Sequence, residues 1–222
     1  IIQKKGSTYE RVFITASGGP FYHSSKTALA QVKYQQAIKH PKWNMGEKIS
    51  VDSATLMNKC FELIEAYWYF NTTKVLALYH PQVQVHAIVE YKNNSYAFIS
   101  PPNMEISIKL ALTKFRDASK YIKVLEREKY QLETIDPKKY WPIELACQIL
   151  KNPRTSLPIM INAANEQAII LCKNNIINFS EILTVVKQTI KHFPIKKVTR
   201  IQEVYEIDKK VREYVKSKWN HQ

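Results

Sequence analysis

Residues 52–70 read DSATLMNKCFELIEAYWYF, and they form the most informative stretch of this 222-residue chain. At 100° per residue, the apolar side chains of this stretch gather on one side and the polar side chains on the other. The apolar side contains Met57, Cys60, Phe61, Ile64 and Trp68, and the polar side contains Thr55, Asn58, Lys59, Glu62 and Glu65. Asp52 or Ser53 is a suitable N-cap. We therefore predict one amphipathic helix that runs from about Ser53 to Phe70.

Strand-like segments lie on both sides of this helix. Residues 11–15 read as a short buried strand, and residues 74–79, 83–91 and 95–100 read as three more. A Lys-Asn-Asn turn separates the last two, which predicts an antiparallel pair. Beyond about residue 140, apolar residues recur at helical spacing. We therefore expect an α+β fold, in which a small mixed or antiparallel sheet with helices is followed by an all-α C-terminal bundle.

This pattern predicts three parts along the chain. Residues 1–105 form a domain that contains the sheet, within which residues 21–46 have the polar, weakly periodic character of a mobile lid. Residues 106–140 are charged and less regular, so we expect them to connect the two domains. Residues 141–222 form the helical domain. The chain has no initiator Met and reaches a strand almost at once, and we expect the natural protein to extend upstream.

The composition favours a folded protein that is neither secreted nor embedded in a membrane. No stretch approaches the roughly 20 apolar residues that cross a bilayer, and the start lacks a signal-peptide pattern. Cys60, Cys147 and Cys172 are odd in number and far apart, which argues against a disulfide framework or a thiolate zinc site. The net charge of +14 is spread along the chain, so we rank RNA binding last and expect no nucleic-acid partner.

Two loops before the helix have the composition of a binding site. Ser17-Gly18-Gly19-Pro20 follows a strand, and such a turn lets backbone N–H groups and a hydroxyl approach a phosphate closely. A plain structural turn is the alternative, since turns need positive φ in any case. His40, Trp43 and Gly46 lie in the next loop, where a packed or surface role is the alternative to ligand binding.

The polar side of the predicted helix suits an anion and a metal ion. With Ser53 at the positive end of the helix, Asn58 and Lys59 add a neutral donor and a cation for a phosphate. Glu62 follows Asn58 by one turn and can present a carboxylate to a divalent metal. The alternative is a solvated helix face with an intrahelical Lys–Glu pair.

Taken together, these motifs match a known family in order and spacing. The glycine turn is followed by His40-Pro41-x-Trp43-x-Met45-Gly46-x-Lys48-Ile49-Ser50-Val51-Asp52-Ser53-Ala54-Thr55-x-Met57-Asn58-Lys59, and then by Glu62. Further matching segments are His80-Pro81-Gln82, His86, Pro102-Asn103-Met104 and Ile161-Asn162-Ala163-Ala164-Asn165-Glu166. The pattern resembles the catalytic half and C-terminal helical domain of the 1-deoxy-D-xylulose 5-phosphate reductoisomerase family.

The resemblance implies an NADPH-dependent oxidoreductase and isomerase of non-mevalonate isoprenoid biosynthesis. Members rearrange 1-deoxy-D-xylulose 5-phosphate and reduce the product to 2-C-methyl-D-erythritol 4-phosphate, with Mg²⁺ or Mn²⁺ polarising the substrate carbonyl. It also implies a homodimer and a bacterial cytoplasmic location, with a plastid-type organelle as the alternative.

The resemblance assigns roles to individual residues as well. It implies that residues 1–105 are the catalytic, substrate-binding domain, and that Ser17, Ser53, Asn58 and Lys59 hold the substrate phosphate. His40 contacts the substrate from the lid and Trp43 covers it. Glu62 is a catalytic metal ligand, and Gly46 lies near the nicotinamide nucleotide.

Several features depart from the family pattern. The N-terminal dinucleotide-binding domain and the Asp-Ser-Glu segment that completes the metal site do not occur in these 222 residues. Cys60 replaces an expected glycine, and residues 110–116 lack the usual Trp-Pro pair. We therefore expect this chain alone to be inactive. A retained non-catalytic half, which serves as a dimerisation or interaction module or as a split-gene subunit, is the alternative function.

Overall fold

The structure is a computed structural model that describes residues 9–39, 46–99, 104–113, 130–138 and 140–219. The described strands are β1 Tyr9–Ala16, β2 Val75–Tyr79, β3 Ala87–Tyr91, β4 Tyr96–Ile99 and β5 Glu133–Thr134. The described α-helices are α1 Lys26–Ala30, α2 Tyr34–Ala37, α3 Glu47–Thr55, α4 Met57–Phe70, α5 Met104–Leu112, α6 Trp141–Lys151, α7 Leu157–Lys173, α8 Ile182–His192 and α9 Ile201–Trp219. None of these helices has the length and apolar character needed to span a bilayer.

The chain divides into two compact units. The first unit contains Ile1–Gly18 and Glu65–Asp136, and the second contains Gly19–Ile64 and Pro137–Gln222. These units are defined by packing and not by role, so the division at residues 105 and 140 into catalytic, connecting and helical parts stays a prediction. The start of the expected connecting segment is more regular than predicted, because it lies within helix α5.

The first unit is built on a mixed five-stranded sheet with the order β4-β3-β1-β2-β5. Strands β1 and β2 are parallel, and the remaining neighbours are antiparallel. Val12 is paired with Val75 on one side and with Val89 on the other, and all three side chains are buried. This rung forms part of the core of the unit. The predicted mixed sheet is confirmed.

One predicted strand is shorter than its sequence pattern. The alternation that begins at Val83 predicts a strand from that residue, whereas β3 begins only at Ala87. The backbone N–H groups of Gln84 and Val85 donate to Nε2 of His80, at 3.0 and 3.1 Å, and Val83 has a positive φ of 58°. These groups are therefore satisfied outside a ladder, and the chain turns where the pattern suggests an extended run.

The second unit is helical, as the sequence predicts for its C-terminal part. Helix α7 is apolar on most of its surface and lies at the centre, in contact with α8 and α9. Its residues Met160, Ile161 and Ala164 are fully buried. A helix that is hydrophobic on nearly all sides must be covered on nearly all sides, which explains why the amphipathic helices α8 and α9 pack against α7. The predicted α+β fold class is confirmed.

The predicted single helix from Ser53 to Phe70 is in fact two helices. Helix α3 ends at Thr55 and α4 begins at Met57, and Leu56 between them has a left-handed conformation with φ of 64°. Asp52 and Ser53 lie in the last turn of α3, so the prediction that either one caps α4 is wrong. Instead, Oγ1 of Thr55 accepts a hydrogen bond of 3.3 Å from the N–H of Met57. This hydroxyl satisfies one of the backbone N–H groups in the first turn of α4, which have no partner within the helix.

Candidate active site

The candidate phosphate ligands lie on both sides of the break between α3 and α4. Ser53 is half-buried in the last turn of α3, and its carbonyl accepts a hydrogen bond of 3.2 Å from Leu56 N–H. Asn58 and Lys59 lie in the first turn of α4. Because the N-terminus of a helix has the positive end of the macrodipole, an anion beside Asn58 and Lys59 is stabilised by the dipole of α4, whereas Ser53 lies at the negative end of α3. The expected electrostatic reason for Ser53 is therefore wrong, although its position beside the break keeps its hydroxyl a candidate.

Three of the predicted site residues form one cluster. Nδ2 of Asn58 donates to Oε1 of Glu62 at 2.6 Å, and Nζ of Lys59 forms an ion pair with Oε2 of the same carboxylate. The side chain of Lys59 is 9% exposed and that of Glu62 is 33% exposed. A nearly buried ammonium group and an amide thus hold two oxygens of one anion. This is the arrangement of donors that a phosphate also needs.

Gly19 of the predicted turn lies against the end of α3. Gly19 has a φ of +67°, and a Cβ atom at this position would lie 2.6 Å from the carbonyl oxygen of Ser53. It would also lie 3.0 Å from Cα of Ala54. A side chain is therefore excluded by space as well as by backbone conformation. Within the second unit, Gly19 and the carbonyl group of Ser53 are therefore brought together.

The other predicted site residues remain predictions. Ser17 follows β1 directly and is half-buried in the first unit. Gly46 is the exposed N-cap residue of α3, and a Cβ atom there would meet nothing within 4 Å. No steric reason for glycine at this position is therefore present. His40 and Trp43 lie outside the described residues.

Glu62 by itself does not make a metal site. Across the described ranges, no group of three or more His, Cys, Asp or Glu side chains could hold a metal ion. A hard divalent cation takes several oxygen ligands, and both carboxylate oxygens of Glu62 are held by Asn58 and Lys59. The described residues therefore do not fit a metal ion without further ligands.

A second polar network, which the sequence did not single out, lies behind the break. Asp52 is buried, and its Oδ2 accepts from Nζ of Lys48 at 2.7 Å while its Oδ1 accepts from Nδ2 of Asn165 at 2.7 Å. Burial raises the pKa of the Asp52 carboxyl, although the contacts with Lys48 and Asn165 oppose that rise. Two signals could have revealed this network, namely the i,i+4 spacing of Lys48 and Asp52 and an asparagine within the apolar sequence of α7.

Cys60 occupies the position where the family pattern has glycine. Its side chain is fully buried in α4, and burial raises the pKa of the thiol. The helix accommodates the thiol within the core, so this departure leaves the polar side of α4 unchanged. A buried, protonated thiol behaves as a small apolar side chain.

Comparison with known proteins points to one family over nearly the whole chain. Residues 1–70 match the family model described as the 1-deoxy-D-xylulose 5-phosphate reductoisomerase C-terminal domain. Residues 99–214 match the model described as the DXP reductoisomerase C-terminal domain. The 1-deoxy-D-xylulose 5-phosphate reductoisomerase of Malacoplasma penetrans is 38% identical over 217 residues, which cover 96% of this chain and 58% of that relative.

Solved structures agree with this result. The reductoisomerase from Zymomonas mobilis in complex with NADPH has a TM-score of 0.79 and 31% identity, over 95% of this chain and 55% of that one. A crystal structure of DOX-P reductoisomerase in complex with NADPH, fosmidomycin and magnesium has a TM-score of 0.79 and 29% identity. The match covers 96% of this chain and 56% of that one. The chain thus spans a little over half the length of its relatives. Both its sequence and its fold show that it belongs to the 1-deoxy-D-xylulose 5-phosphate reductoisomerase family.

Proposed function

We propose that this chain provides the substrate-binding and C-terminal parts of an NADPH-dependent reductoisomerase. The reaction is the rearrangement of 1-deoxy-D-xylulose 5-phosphate followed by reduction to 2-C-methyl-D-erythritol 4-phosphate, in non-mevalonate isoprenoid biosynthesis. The observation that supports this most is the cluster of Asn58, Lys59 and Glu62 at the start of α4, in a chain of this family. The similar reductoisomerase structures in complex with NADPH, or with NADPH and magnesium, support the same cofactors here.

The first turn of α4 is the proposed phosphate site. Lys59 is nearly buried, so its charge is poorly screened by water and attracts an anion more strongly than a surface lysine does. Asn58 adds a neutral donor, and the N-terminus of α4 adds the positive end of its dipole. We propose that the hydroxyls of Ser53 and Ser17 complete the set of donors. These residues bind and orient the substrate through the part of it that does not react.

Glu62 has a different proposed role from its neighbours. A phosphate that binds to Asn58 and Lys59 replaces the Glu62 carboxylate as their anionic partner, which leaves that carboxylate available to one divalent cation, Mg²⁺ or Mn²⁺. Glu62 is then one ligand among several, because such ions take about six oxygen ligands. The other carboxylates that the family pattern requires belong to its Asp-Ser-Glu segment.

We further propose roles for the loop before α3 and an assembly for the protein. His40 contacts the substrate from the lid, Trp43 covers it, and Gly46 lies near the nicotinamide nucleotide. The protein works as a homodimer in the cytoplasm, with a plastid-type organelle as the alternative location. Exposed apolar side chains on the sheet of the first unit support self-association, among them Leu76, Tyr96 and Phe98.

Turnover tests this proposal. The chain is joined to the N-terminal dinucleotide-binding domain of a relative, and NADPH oxidation is followed with 1-deoxy-D-xylulose 5-phosphate and Mg²⁺. We expect Lys59→Ala to reduce kcat/KM by about 100-fold or more, because a charge-assisted contact with the phosphate is lost. Lys151→Ala removes an exposed lysine of α6 and is the matched control. Equal kcat/KM for the two variants would reject the proposed phosphate site.

A further inference from the structure

We propose that Asp52 is a positioning residue, which together with Lys48 and Asn165 holds the α3–α4 break in the geometry that the phosphate site needs. This inference rests on the proposed function, because it concerns the same phosphate. Asp52 itself does not touch the phosphate in this account. It acts on Ser53, which follows it in α3, and on Asn58 and Lys59, which lie beyond the break.

The contacts of Asp52 fix the last turn of α3 from two directions. Lys48 lies one turn earlier in the same helix and donates to Oδ2 at 2.7 Å. Asn165 lies on α7, the central helix of the unit, and donates to Oδ1 at 2.7 Å. Asp52 is 2% exposed, so water does not compete for either oxygen. Both bonds hold a carboxylate, which makes them shorter and stronger than bonds between neutral groups.

Lys48 extends this network across the break. Its Nζ atom lies 5.1 Å from the centroid of the Phe61 ring, which belongs to α4. A cation over an aromatic ring is attracted by the ring quadrupole. The same ammonium group therefore joins α3, through Asp52, to α4, through Phe61. The buried carboxylate is thus linked directly to α7 through Asn165 and indirectly to α4 through Lys48.

The break needs such support because its backbone conformation is unfavourable. Leu56 has a φ of 64°, a left-handed conformation that a residue with a Cβ atom rarely adopts. Conformations of this kind persist only where the surrounding contacts impose them. If Leu56 relaxed towards the right-handed region, α3 and α4 would approach one continuous helix. Ser53 would then rotate relative to Asn58 and Lys59, and the donors would no longer face one phosphate.

Asn165 provides a second reason to assign a positioning role. Its Oδ1 atom is buried and has no hydrogen-bond partner among the described residues. An unpaired buried acceptor lowers the free energy of unfolding. The same amide donates to Oδ1 of the buried Asp52 carboxylate, which an apolar side chain at this position would leave without its donor from α7. Asn165 therefore holds the last turn of α3 to α7, although its own oxygen stays unpaired among the described residues.

Binding of inorganic phosphate to the 222-residue chain tests the inference. We expect Lys48→Met and Asp52→Asn each to raise the Kd for phosphate by about tenfold, since small displacements of positioning groups have effects of up to about 100-fold. Lys48 is half exposed, so Lys48→Met retains the fold even if Asp52→Asn does not. The double variant should have the same Kd as the single variant that binds phosphate more weakly, because both changes break the same contact between Lys48 and Asp52.

A control separates positioning from stability. Val211→Ala removes buried methyl groups of α9 and should lower Tm by at least as much as Lys48→Met, without changing the Kd. If Lys48→Met binds phosphate as tightly as this control, Asp52 is not a positioning residue. Loss of binding in Lys59→Ala in that same experiment would leave the proposed function intact. If the wild-type chain does not bind phosphate at all, both the proposed site and this inference are wrong.

Discussion

The side-chain amide of Asn58 donates a hydrogen bond of 2.6 Å to Oε1 of Glu62, one turn further along α4. Lys59 holds the other oxygen of the same carboxylate, so the donors proposed for the phosphate already hold an anion. A phosphate that enters this site must therefore displace Glu62. This competition gives the site a property that can be measured without turnover.

Glu62→Gln should bind phosphate more tightly than the wild type. The substitution removes the competing carboxylate and its repulsion, and a gain of 1.4 kcal/mol would lower the Kd by about tenfold. Isothermal titration calorimetry with inorganic phosphate measures the Kd of each variant. Glu65→Gln changes an exposed carboxylate of the same helix and is the matched control. An unchanged or weaker affinity in Glu62→Gln would show that Glu62 does not compete with the anion.

Gly19→Ala should reduce the free energy of unfolding by about 1–3 kcal/mol, because a Cβ atom there meets the Ser53 carbonyl at positive φ. Gly46→Ala is the matched control, since its Cβ atom enters open space and its φ is −58°. Denaturant unfolding followed by circular dichroism compares the two variants. Equal stabilities would mean that the turn does not approach α3 as closely as the structure has it.

His80 should be required for the stability of the first unit. Its Nε2 atom accepts from the N–H groups of Gln84 and Val85, and its Nδ1 atom lies 2.8 Å from the carbonyl oxygen of Gln131. His80→Phe leaves these backbone groups without partners, and each buried unsatisfied group costs about 1–3 kcal/mol. Thermal unfolding measures the loss, with the exposed His23→Phe as the control. A Tm as high as that of the control would contradict this role.

Self-association should depend on the open face of the sheet. Phe98 and Leu76 are 49% and 40% exposed, and they belong to the same rung as Ile88 and Phe13. Phe98→Lys places a charge on this apolar face and should convert a dimer to a monomer. Sedimentation velocity distinguishes the two states. Tyr69→Lys changes an exposed aromatic residue at the end of α4 and should leave the dimer intact. A wild-type chain that sediments as a monomer would reject the proposed dimer.

Local patterns predicted most of the secondary structure, and the exceptions have identifiable causes. Alternation and helical spacing located the strands and the C-terminal helices because burial of one face imposes these periods. The sequence pattern does not predict the break at Leu56, because the apolar spacing continues through this residue. A positive φ at one residue does not change that spacing. The late start of β3 was missed because His80 takes the N–H groups that the pattern assigned to a strand.

The candidate site was predicted in part for a similar reason. Asn58, Lys59 and Glu62 are close in sequence and share a helix face, so their cluster could be predicted from spacing alone. The bond between Asp52 and Asn165 joins residues 113 positions apart, and no local pattern indicates it. The approach of Gly19 to Ser53 also depends on tertiary packing, although the glycine itself indicated a close contact.

The most direct test of the account is an NMR titration of the isotope-labelled chain with inorganic phosphate and with 1-deoxy-D-xylulose 5-phosphate. We predict that the amide resonances of Asn58 and Lys59, together with that of Ser53, shift in a saturable way with both ligands. The same shifts should vanish in Lys59→Ala and persist in Lys151→Ala. Resonances of these three residues that do not move at saturating ligand would contradict the proposal that the α3–α4 break binds the substrate phosphate.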